Sequence, residues 1–203
     1  MEKISKTGKN AELVLEEILK ENNLNKADIV YTKGETKKGL FKSETVEVIV
    51  YEKSKIYELV KQFLNEIITN LGLEVSFELT TKDNIPVIRI ISNNNAILIG
   101  HNGNTLKSLE ILARQKILIE TGVYFLISLD VENYKDKKKA KLERLAKQTA
   151  KEVVRTNIKI SLENMNAYER RIVHNALTNF KGVSTKSEGE EPNRHVVIYP
   201  EKD

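Results

Sequence analysis

The segment Leu98-Ile99-Gly100-His101-Asn102-Gly103-Asn104-Thr105-Leu106 decides the fold of the central part of this 203-residue chain. Two glycines flank two polar residues, and helical patterns precede and follow them, with a short helix predicted at about 94–99. Because glycine lacks a side chain, another backbone can approach closely, and the free N–H groups at the start of the next helix suit a phosphate. A bare G-x-x-G is common in proteins, so the neighbouring elements decide what it means.

The patterns around this loop predict the order helix, strand, strand, helix, helix, strand. The first helix ends at Gly72 and is indicated by apolar residues at helical spacing: Ile56, Leu59, Val60, Phe63, Leu64, Ile67, Ile68 and Leu71. Alternation at Val75, Phe77 and Leu79, followed by residues 86–91 after a polar turn, predicts a hairpin. The helix after the loop has a predicted inner side made of Leu106, Leu109, Leu112, Ala113 and Ile117. Strict alternation over residues 123–131 predicts the last strand.

In this context the loop resembles that of the KH domain, whose G-x-x-G segment clamps about four nucleotides of single-stranded nucleic acid. The resemblance covers residues 54–131, and the element order matches the bacterial, type II arrangement. It implies an RNA-binding loop made by Ile99, Gly100, His101, Asn102, Gly103 and Thr105. His101 and Asn102 stand where such loops often carry Lys or Arg, so we expect weak attraction for phosphate. A glycine-bracketed turn between two helices, with no ligand, is the alternative.

A second candidate site lies on a helix predicted from about 167 to 178, where Asn166 and Glu169 have capping-box spacing. Arg170 and His174 are four residues apart and project from the same face of that helix. Arginine offers a planar fork for phosphate, and histidine stacks on a base or donates to phosphate. On these residues alone, a solvated helix face is the alternative.

The wider context of this helix carries a second resemblance. Tyr168-Glu169-Arg170-Arg171-Ile172-Val173-His174, then Ser187-Glu188-Gly189-Glu190-Glu191-Pro192 and Arg194-His195-Val196-Val197-Ile198, resemble the R-three-H domain, a single-stranded nucleic-acid module. The resemblance implies that Arg170 and His174 are its signature pair.

A basic stripe follows one face of a helix predicted over about 136–158. At 100° per residue, its cations fall within an arc of about 80°; they are Lys137, Lys141, Arg144, Lys151 and Arg155. The predicted buried side is formed by Leu142, Leu145, Ala146, Thr149, Ala150 and Val153. Concentrated charge of this kind favours a phosphate backbone, although a solubilising surface explains the stripe equally well when it is taken alone.

The N-terminal part is predicted to contain a helix at about 9–21 and strands at 29–31 and 45–50. Lys37-Lys38-Gly39-Leu40-Phe41 reads as a basic turn leading into a strand and resembles the turn of the Jag N-terminal domain. The order of modules, 1–51, 54–131 and 135–203, resembles the Jag family over essentially the whole chain; this family is also called KhpB or EloR and comprises SpoIIIJ-associated bacterial RNA-binding proteins. The predicted fold class is α+β with three small modules, joined almost directly at Tyr51-Glu52-Lys53.

Composition excludes several classes of protein. The chain has no cysteine and a net charge of +4, so disulfides, thiolate nucleophiles, Fe–S clusters and nearly all structural zinc arrangements are ruled out. The longest apolar run, Ala96-Ile97-Leu98-Ile99, is far shorter than the ~20 residues that span a bilayer. His101, His174 and His195 have no metal-ligand spacing, and no P-loop or nucleophile motif is present. We therefore expect a cytoplasmic protein with no membrane insertion, no metal, no cofactor and no enzymatic activity.

The resemblance to the Jag family implies a non-catalytic protein that binds single-stranded RNA and acts as a post-transcriptional regulator linked to bacterial cell elongation, division and envelope growth. It also implies a small KH-only protein partner or a homodimer, and it allows a membrane-associated partner. A protein-interaction adaptor that dimerises through its KH domain, with RNA binding secondary, is the main alternative. A hydrolase, including a nuclease, is a weaker one.

Overall fold

The computed structural model describes residues 1–34, 37–39 and 42–201. The chain folds into two compact units, Met1–Glu132 and Asn133–Asp203. Helices and strands are mixed in both units, which confirms the α+β fold class. Within the described residues, no helix is long and apolar enough to cross a membrane.

The first unit begins with a helix packed on a sheet. Its elements are β1 (Ile4–Gly8), α1 (Ala11–Glu21), β2 (Ile29–Lys33), β3 (Lys37–Gly39) and β4 (Lys42–Glu52). The sheet has the order β1-β4-β2, with antiparallel pairs, and β3 also pairs with β4. One core forms where α1 covers the sheet, from Val14, Leu15, Ile18, Ile29, Val48 and Val50. The Asn10 side chain caps α1 by accepting from the Glu12 N–H at 2.8 Å.

The predicted basic turn around Lys37 differs from the structure. Lys37–Gly39 is the short strand β3 and pairs with β4, while Leu40 and Phe41 of that motif lie outside the described residues. The direct connection to the next helix is confirmed, because β4 ends at Glu52 and α2 begins at Lys53. Lys53 Nζ also donates to the Ala27 carbonyl at 2.5 Å, so the helix start is tied to the N-terminal part of the same unit.

The rest of the first unit has the predicted element order. Its elements are α2 (Lys53–Asn70), β5 (Val75–Lys82), β6 (Ile85–Ser92), α3 (Asn95–Ile99), α4 (Asn104–Thr121) and β7 (Ser128–Val131). The sheet order is β5-β6-β7, where β5 and β6 are antiparallel and β6 and β7 are parallel. Buried residues of α2 and α4 include Ile56, Leu64, Leu106 and Ile117.

The last strand is shorter than the sequence indicated, because it begins at Ser128 and not at residue 123. Arg114 Nε and Nη2 donate to the Ile127 carbonyl at 2.8 and 2.6 Å, so this carbonyl bonds to a side chain and not to a neighbouring strand. On the partner strand, Pro86 precedes the first paired residue and has no N–H to donate. The alternating apolar pattern over 123–127 therefore does not form a strand.

Some predicted core positions are exposed. Leu71 is 54% exposed, Leu112 47% and Leu145 39%. Leu71 is the C-cap residue that follows the last residue of α2. Leu112 and Leu145 lie at the border of the apolar stripe of their helices, where the neighbouring layer no longer covers the side chain. The apolar surface in these helices is thus wider than the buried face.

The second unit packs two helices on a sheet. Its elements are α5 (Tyr134–Thr156), β8 (Ile160–Asn164), α6 (Ala167–Leu177), β9 (Val183–Glu188) and β10 (His195–Pro200). The antiparallel sheet has the order β8-β10-β9. The predicted capping box is confirmed, because Asn166 Oδ1 accepts from the Glu169 N–H at 3.1 Å and Glu169 Oε2 accepts from the Asn166 N–H at 3.0 Å. Strand β8 was not predicted, since its two apolar residues are too few to indicate a strand before β10 is known to pair with it.

Candidate nucleic-acid interface

The G-x-x-G loop is a sharp turn between α3 and α4, and its backbone is largely left-handed. The φ angles are 69° at Gly100, 55° at Asn102 and 82° at Gly103. A Cβ on Gly100 would lie 2.7 Å from Thr105 Cβ and 3.0 Å from the Thr105 nitrogen, closer than real Cβ atoms approach, and it would clash with Thr105 Oγ1 as well. Gly100 is therefore required both by its φ angle and by the space that Thr105 occupies.

Both ends of the loop are anchored in the core while its middle faces solvent. Leu98 is fully buried and Leu106 is 2% exposed, whereas His101 and Asn102 are exposed and Ile99 and Gly103 are half-buried. Gly103 stands at the N-cap of α4 and has no side chain with which to cap the first turn of that helix. The Gly103 N–H donates to the Gly100 carbonyl at 3.2 Å, and the Asn104 N–H donates to the His101 carbonyl. The structure thus brings the predicted loop residues together at a helix start that presents the positive end of the helix dipole.

Ile97, which the sequence did not single out as a site residue, is 47% exposed on α3, directly before the loop. The run Ala96-Ile97-Leu98-Ile99 looked like core, but on a helix of five residues only Leu98 is buried. The exposed Ile97 side chain is apolar surface beside the glycine loop. The sequence did not show that Ile97 is exposed, because an apolar run does not reveal which of its residues other elements cover.

All five cations of the predicted stripe are exposed on α5; they are Lys137, Lys141, Arg144, Lys151 and Arg155. Ala146, Thr149, Ala150 and Val153 are buried on the other side of the helix, as predicted. A shallow, open depression on this helix is lined by Ala140, Glu143, Arg144, Lys147, Gln148 and Lys151. The stripe is therefore a cationic surface whose potential attracts a polyanion.

Arg170 is mostly inside the second unit, with 8% of its surface exposed. Its Nη1 donates to the Met165 carbonyl at 2.6 Å and to Glu191 Oε1 at 2.8 Å. The Glu191 side chain is itself exposed. The guanidinium of the signature arginine thus joins the residue before α6 to the connection between β9 and β10.

His174 is half-buried and uses both ring nitrogens inside the unit. Nδ1 lies 2.7 Å from Thr185 Oγ1, and Nε2 lies 2.9 Å from Ser187 Oγ, two hydroxyls on alternate residues of β9. Burial of the ring lowers its pKa, and the nearby Arg170 charge lowers that pKa further. The signature pair shares a helix face as predicted, and in this structure both side chains contact the protein's own groups. Among the described residues, no group of His, Asp and Glu side chains is arranged to hold a metal ion.

An NMR titration of the His174 imidazole is expected to give a midpoint below the ordinary 6.5, because burial and the Arg170 charge both disfavour the protonated ring. The folded ring binds its proton less tightly than the unfolded one, so the stability linked to this group is complete above pH 6.5 and is lost as pH falls through the lowered pKa. Arg170→Met should raise the midpoint. A midpoint at or above 6.5 in the unaltered chain would contradict this assignment.

Gly100→Ala is expected to destabilise the first unit more than Gly122→Ala does. Both glycines have a φ of 69°, but ψ is −179° at Gly100, a region essentially restricted to glycine, and 8° at Gly122, where a Cβ meets nothing within 4 Å. Gly122→Ala therefore carries milder backbone strain and no clash. The clash with Thr105 and the stronger backbone strain at Gly100 together should add about 1–3 kcal/mol to the loss in free energy of unfolding. Urea unfolding followed through NMR signals of the first unit measures the difference, and equal losses for the two variants would show that the loop has room at Gly100.

Comparison with known proteins identifies one matching domain family and several relatives. Residues 140–200 match the family model of the R-three-H domain. The chain is 41% identical over 139 residues to RNA-binding protein KhpB of Clostridium symbiosum, an alignment that covers 68% of this chain and 63% of that protein. It is 30% identical over 136 residues to RNA-binding protein KhpB of Lactiplantibacillus plantarum, covering 67% of this chain and 42% of the relative. The chain thus spans less than two thirds of these two relatives.

RNA-binding protein KhpB of Bacillus subtilis matches over nearly the full length of both proteins. It is 30% identical to this chain over 206 residues, with 98% of each protein covered. The family resemblance predicted from the module order is therefore confirmed. The chain belongs to the KhpB family, also called the Jag or EloR family.

Proposed function

We propose that this chain is a non-catalytic, cytoplasmic protein that binds single-stranded RNA. The observation that carries the proposal is the conformation of residues 100–103, where two glycines with positive φ expose an uncapped helix start without a side chain in the way. The names of the relatives, which are RNA-binding proteins, support the same ligand. The R-three-H match over residues 140–200 supports a second nucleic-acid-binding part.

In the first unit the sugar-phosphate backbone would pass over Gly100 and Gly103, where the positive end of the α4 dipole would attract a phosphate. Ile99 and Thr105 would shape the loop from either side, and exposed Ile97 would contact a base. His101 and Asn102 would face the phosphates. The division that we propose is an N-terminal module at 1–51, a type II KH domain at 54–131 and an R-three-H domain at 135–203.

In the second unit the cations of α5 would neutralise phosphates along the RNA. The contact is electrostatic and independent of sequence, because exposed lysine and arginine side chains read charge and not base edges. Base preference would therefore come from the loop of the first unit. The two binding parts would have different roles, one in affinity and the other in selectivity.

The biological role that we propose is post-transcriptional regulation linked to cell elongation, division and envelope growth. A small KH-only protein or a second copy of this chain would be the protein partner, and a membrane-associated protein is a further candidate. These assignments rest on family membership and need no catalytic residue in the chain.

A protein-interaction adaptor is the second candidate, and a specific observation favours it. Ile111, Leu112 and Ile119 of α4 are 55%, 47% and 72% exposed, an unusual apolar surface for one helix. An adaptor would bury this surface against a partner, with RNA binding secondary. Binding to a partner that is indifferent to salt and to added RNA would support the adaptor over the RNA-binding protein.

His101→Asp combined with Asn102→Asp is expected to lower affinity for single-stranded RNA about tenfold or more, because two carboxylates would repel the phosphate that approaches Gly100. Both positions are exposed, so the fold should persist in circular dichroism. Thr81→Asp with Asn84→Asp is the matched control, since it adds the same charge at the exposed end of the β5–β6 hairpin. Unchanged affinity of the folded loop variant in fluorescence anisotropy would refute the proposed groove.

Arg144→Gln combined with Lys151→Gln is expected to make the dependence of affinity on salt shallower. Each cation that neutralises a phosphate of a single strand contributes about 0.7 to the slope of log affinity against log salt, so losing two contacts should reduce the slope by about 1.4. Lys20→Gln with Lys26→Gln removes the same charge from exposed positions of the first unit and should leave the slope intact. If both double variants show the parent slope, α5 carries only a solubilising surface.

A further inference from the structure

We propose that Arg170 and His174 are positioning residues that fasten α6 to β9 and to the 189–194 connection, and that exposed neighbours, Tyr168, Arg171 and Arg194, contact the nucleic acid in their place. The inference deepens the proposed function and rests on it, because the ligand is the same single-stranded RNA. Helix-face spacing alone predicts that Arg170 and His174 contact the nucleic acid. In this proposal their exposed neighbours make that contact.

The contacts of Arg170 argue against a direct role. Its side chain is 9% exposed, and Nη1 is held by a carbonyl and a carboxylate at once, Met165 O at 2.6 Å and Glu191 Oε1 at 2.8 Å. Rotating the guanidinium outward to a phosphate would break both bonds and would leave the carbonyl without its charged donor. Charge-assisted hydrogen bonds are among the stronger ones in proteins, and the bond to the Met165 carbonyl is buried, whereas the Glu191 carboxylate is exposed. An RNA phosphate that bound Nη1 would have to take the place of the Met165 carbonyl and the Glu191 carboxylate as acceptors.

His174 is engaged in the same way. Its two ring nitrogens meet Thr185 and Ser187 of β9 at 2.7 and 2.9 Å, so neither nitrogen points at an open position. The two hydroxyls lie on one side of the strand, because residues i and i+2 of a strand share a face. The imidazole therefore sets the distance between α6 and β9.

The segment that Arg170 holds is attached again at its far end. The Met165 N–H donates to the Arg194 carbonyl at 2.9 Å, and Asn164 Nδ2 donates to Asn193 Oδ1 at 3.1 Å. Arg170 and these bonds together fix the 189–194 connection against the start of α6. The Arg194 side chain is exposed from this fixed backbone.

The residues left facing solvent at this place have the chemistry that single-stranded RNA requires. Tyr168 is 66% exposed and lies three residues before exposed Arg171, so the two side chains share a face of α6. An exposed tyrosine offers a surface on which a base stacks, and the two arginines offer phosphate-binding forks. Positioning by the buried pair thus keeps an aromatic ring and two cations at one end of the unit.

The test measures the affinity of the full chain for a fluorescein-labelled oligouridine over a series of KCl concentrations. Arg170→Ala should weaken binding roughly fivefold at every salt concentration, the order expected when a buried charge-assisted bond loses one partner, and should leave the salt slope as in the parent. Arg171→Ala, at the adjacent exposed position, should instead make the slope shallower by about 0.7. Circular dichroism reports whether each variant is folded.

Glu191→Gln distinguishes a positioning role of Arg170 from direct RNA contact, because the two roles predict opposite changes in RNA affinity. Removing an exposed carboxylate near bound RNA would by itself tighten binding, whereas loosening the partner of Arg170 should weaken binding about as much as Arg170→Ala does. The variant changes an exposed side chain, so it remains informative if Arg170→Ala does not fold. Combining the two substitutions should cost no more than Arg170→Ala alone, because they remove one interaction.

Three results would overturn the inference: a shallower slope for Arg170→Ala, a parent slope for Arg171→Ala, or tighter binding by Glu191→Gln. Each is read while the unaltered chain binds the RNA, so the proposed function then stands and only the roles of these residues change. Absence of binding by the unaltered chain would overturn the proposed function, and the inference with it.

Discussion

The left-handed backbone at Gly100, set against Thr105, is the constraint on which the candidate interface of the first unit depends. With this φ, α3 ends at Ile99 and α4 starts at Asn104 while Leu98 and Leu106 both lie in the core. The same turn leaves the start of α4 without a side-chain cap. The need to connect two packed helices by a short loop therefore also creates the surface that suits a phosphate.

In the second unit, polar side chains hold the helix that carries the signature pair against the neighbouring segments. Arg170 and His174 join a helix to segments that lie 11 to 21 residues away, through a guanidinium and an imidazole held almost entirely by groups of the same unit. Lys138 and Glu169 form a further ion pair between α5 and the start of α6. These bonds hold a small core, built mainly from Val153, Val173, Val196 and Ile198, in one arrangement. The exposed cations of α5 lie on the side of the helix away from this core, where a polyanion can reach them.

Local sequence patterns account for the features of the structure that could be predicted from the sequence. A capping box needs only Asn166 and Glu169 at the right spacing, and the turn at residues 100–103 needs only two glycines between helical patterns. The exposed stripe of α5 follows in the same way from 3.6 residues per turn. Each of these features depends on neighbours within a few residues, so the order of amino acids already contains the physical cause.

The amino-acid sequence alone was enough to predict the α+β class, the order of elements from α2 to β7, the glycine loop, the basic stripe and the family to which the chain belongs, but it did not predict β1 (Ile4–Gly8) or β8. Tertiary structure decided the features that depend on distant partners: Arg114 shortens β7 by occupying the Ile127 carbonyl, β8 exists because β10 pairs with it, and Arg170 meets Glu191 instead of solvent. It also decided that Leu112 and Leu145 lie outside the core. Helical spacing tells which side chains share a face, but burial and hydrogen bonding depend on what covers that face, and only the folded chain brings the covering residues into place.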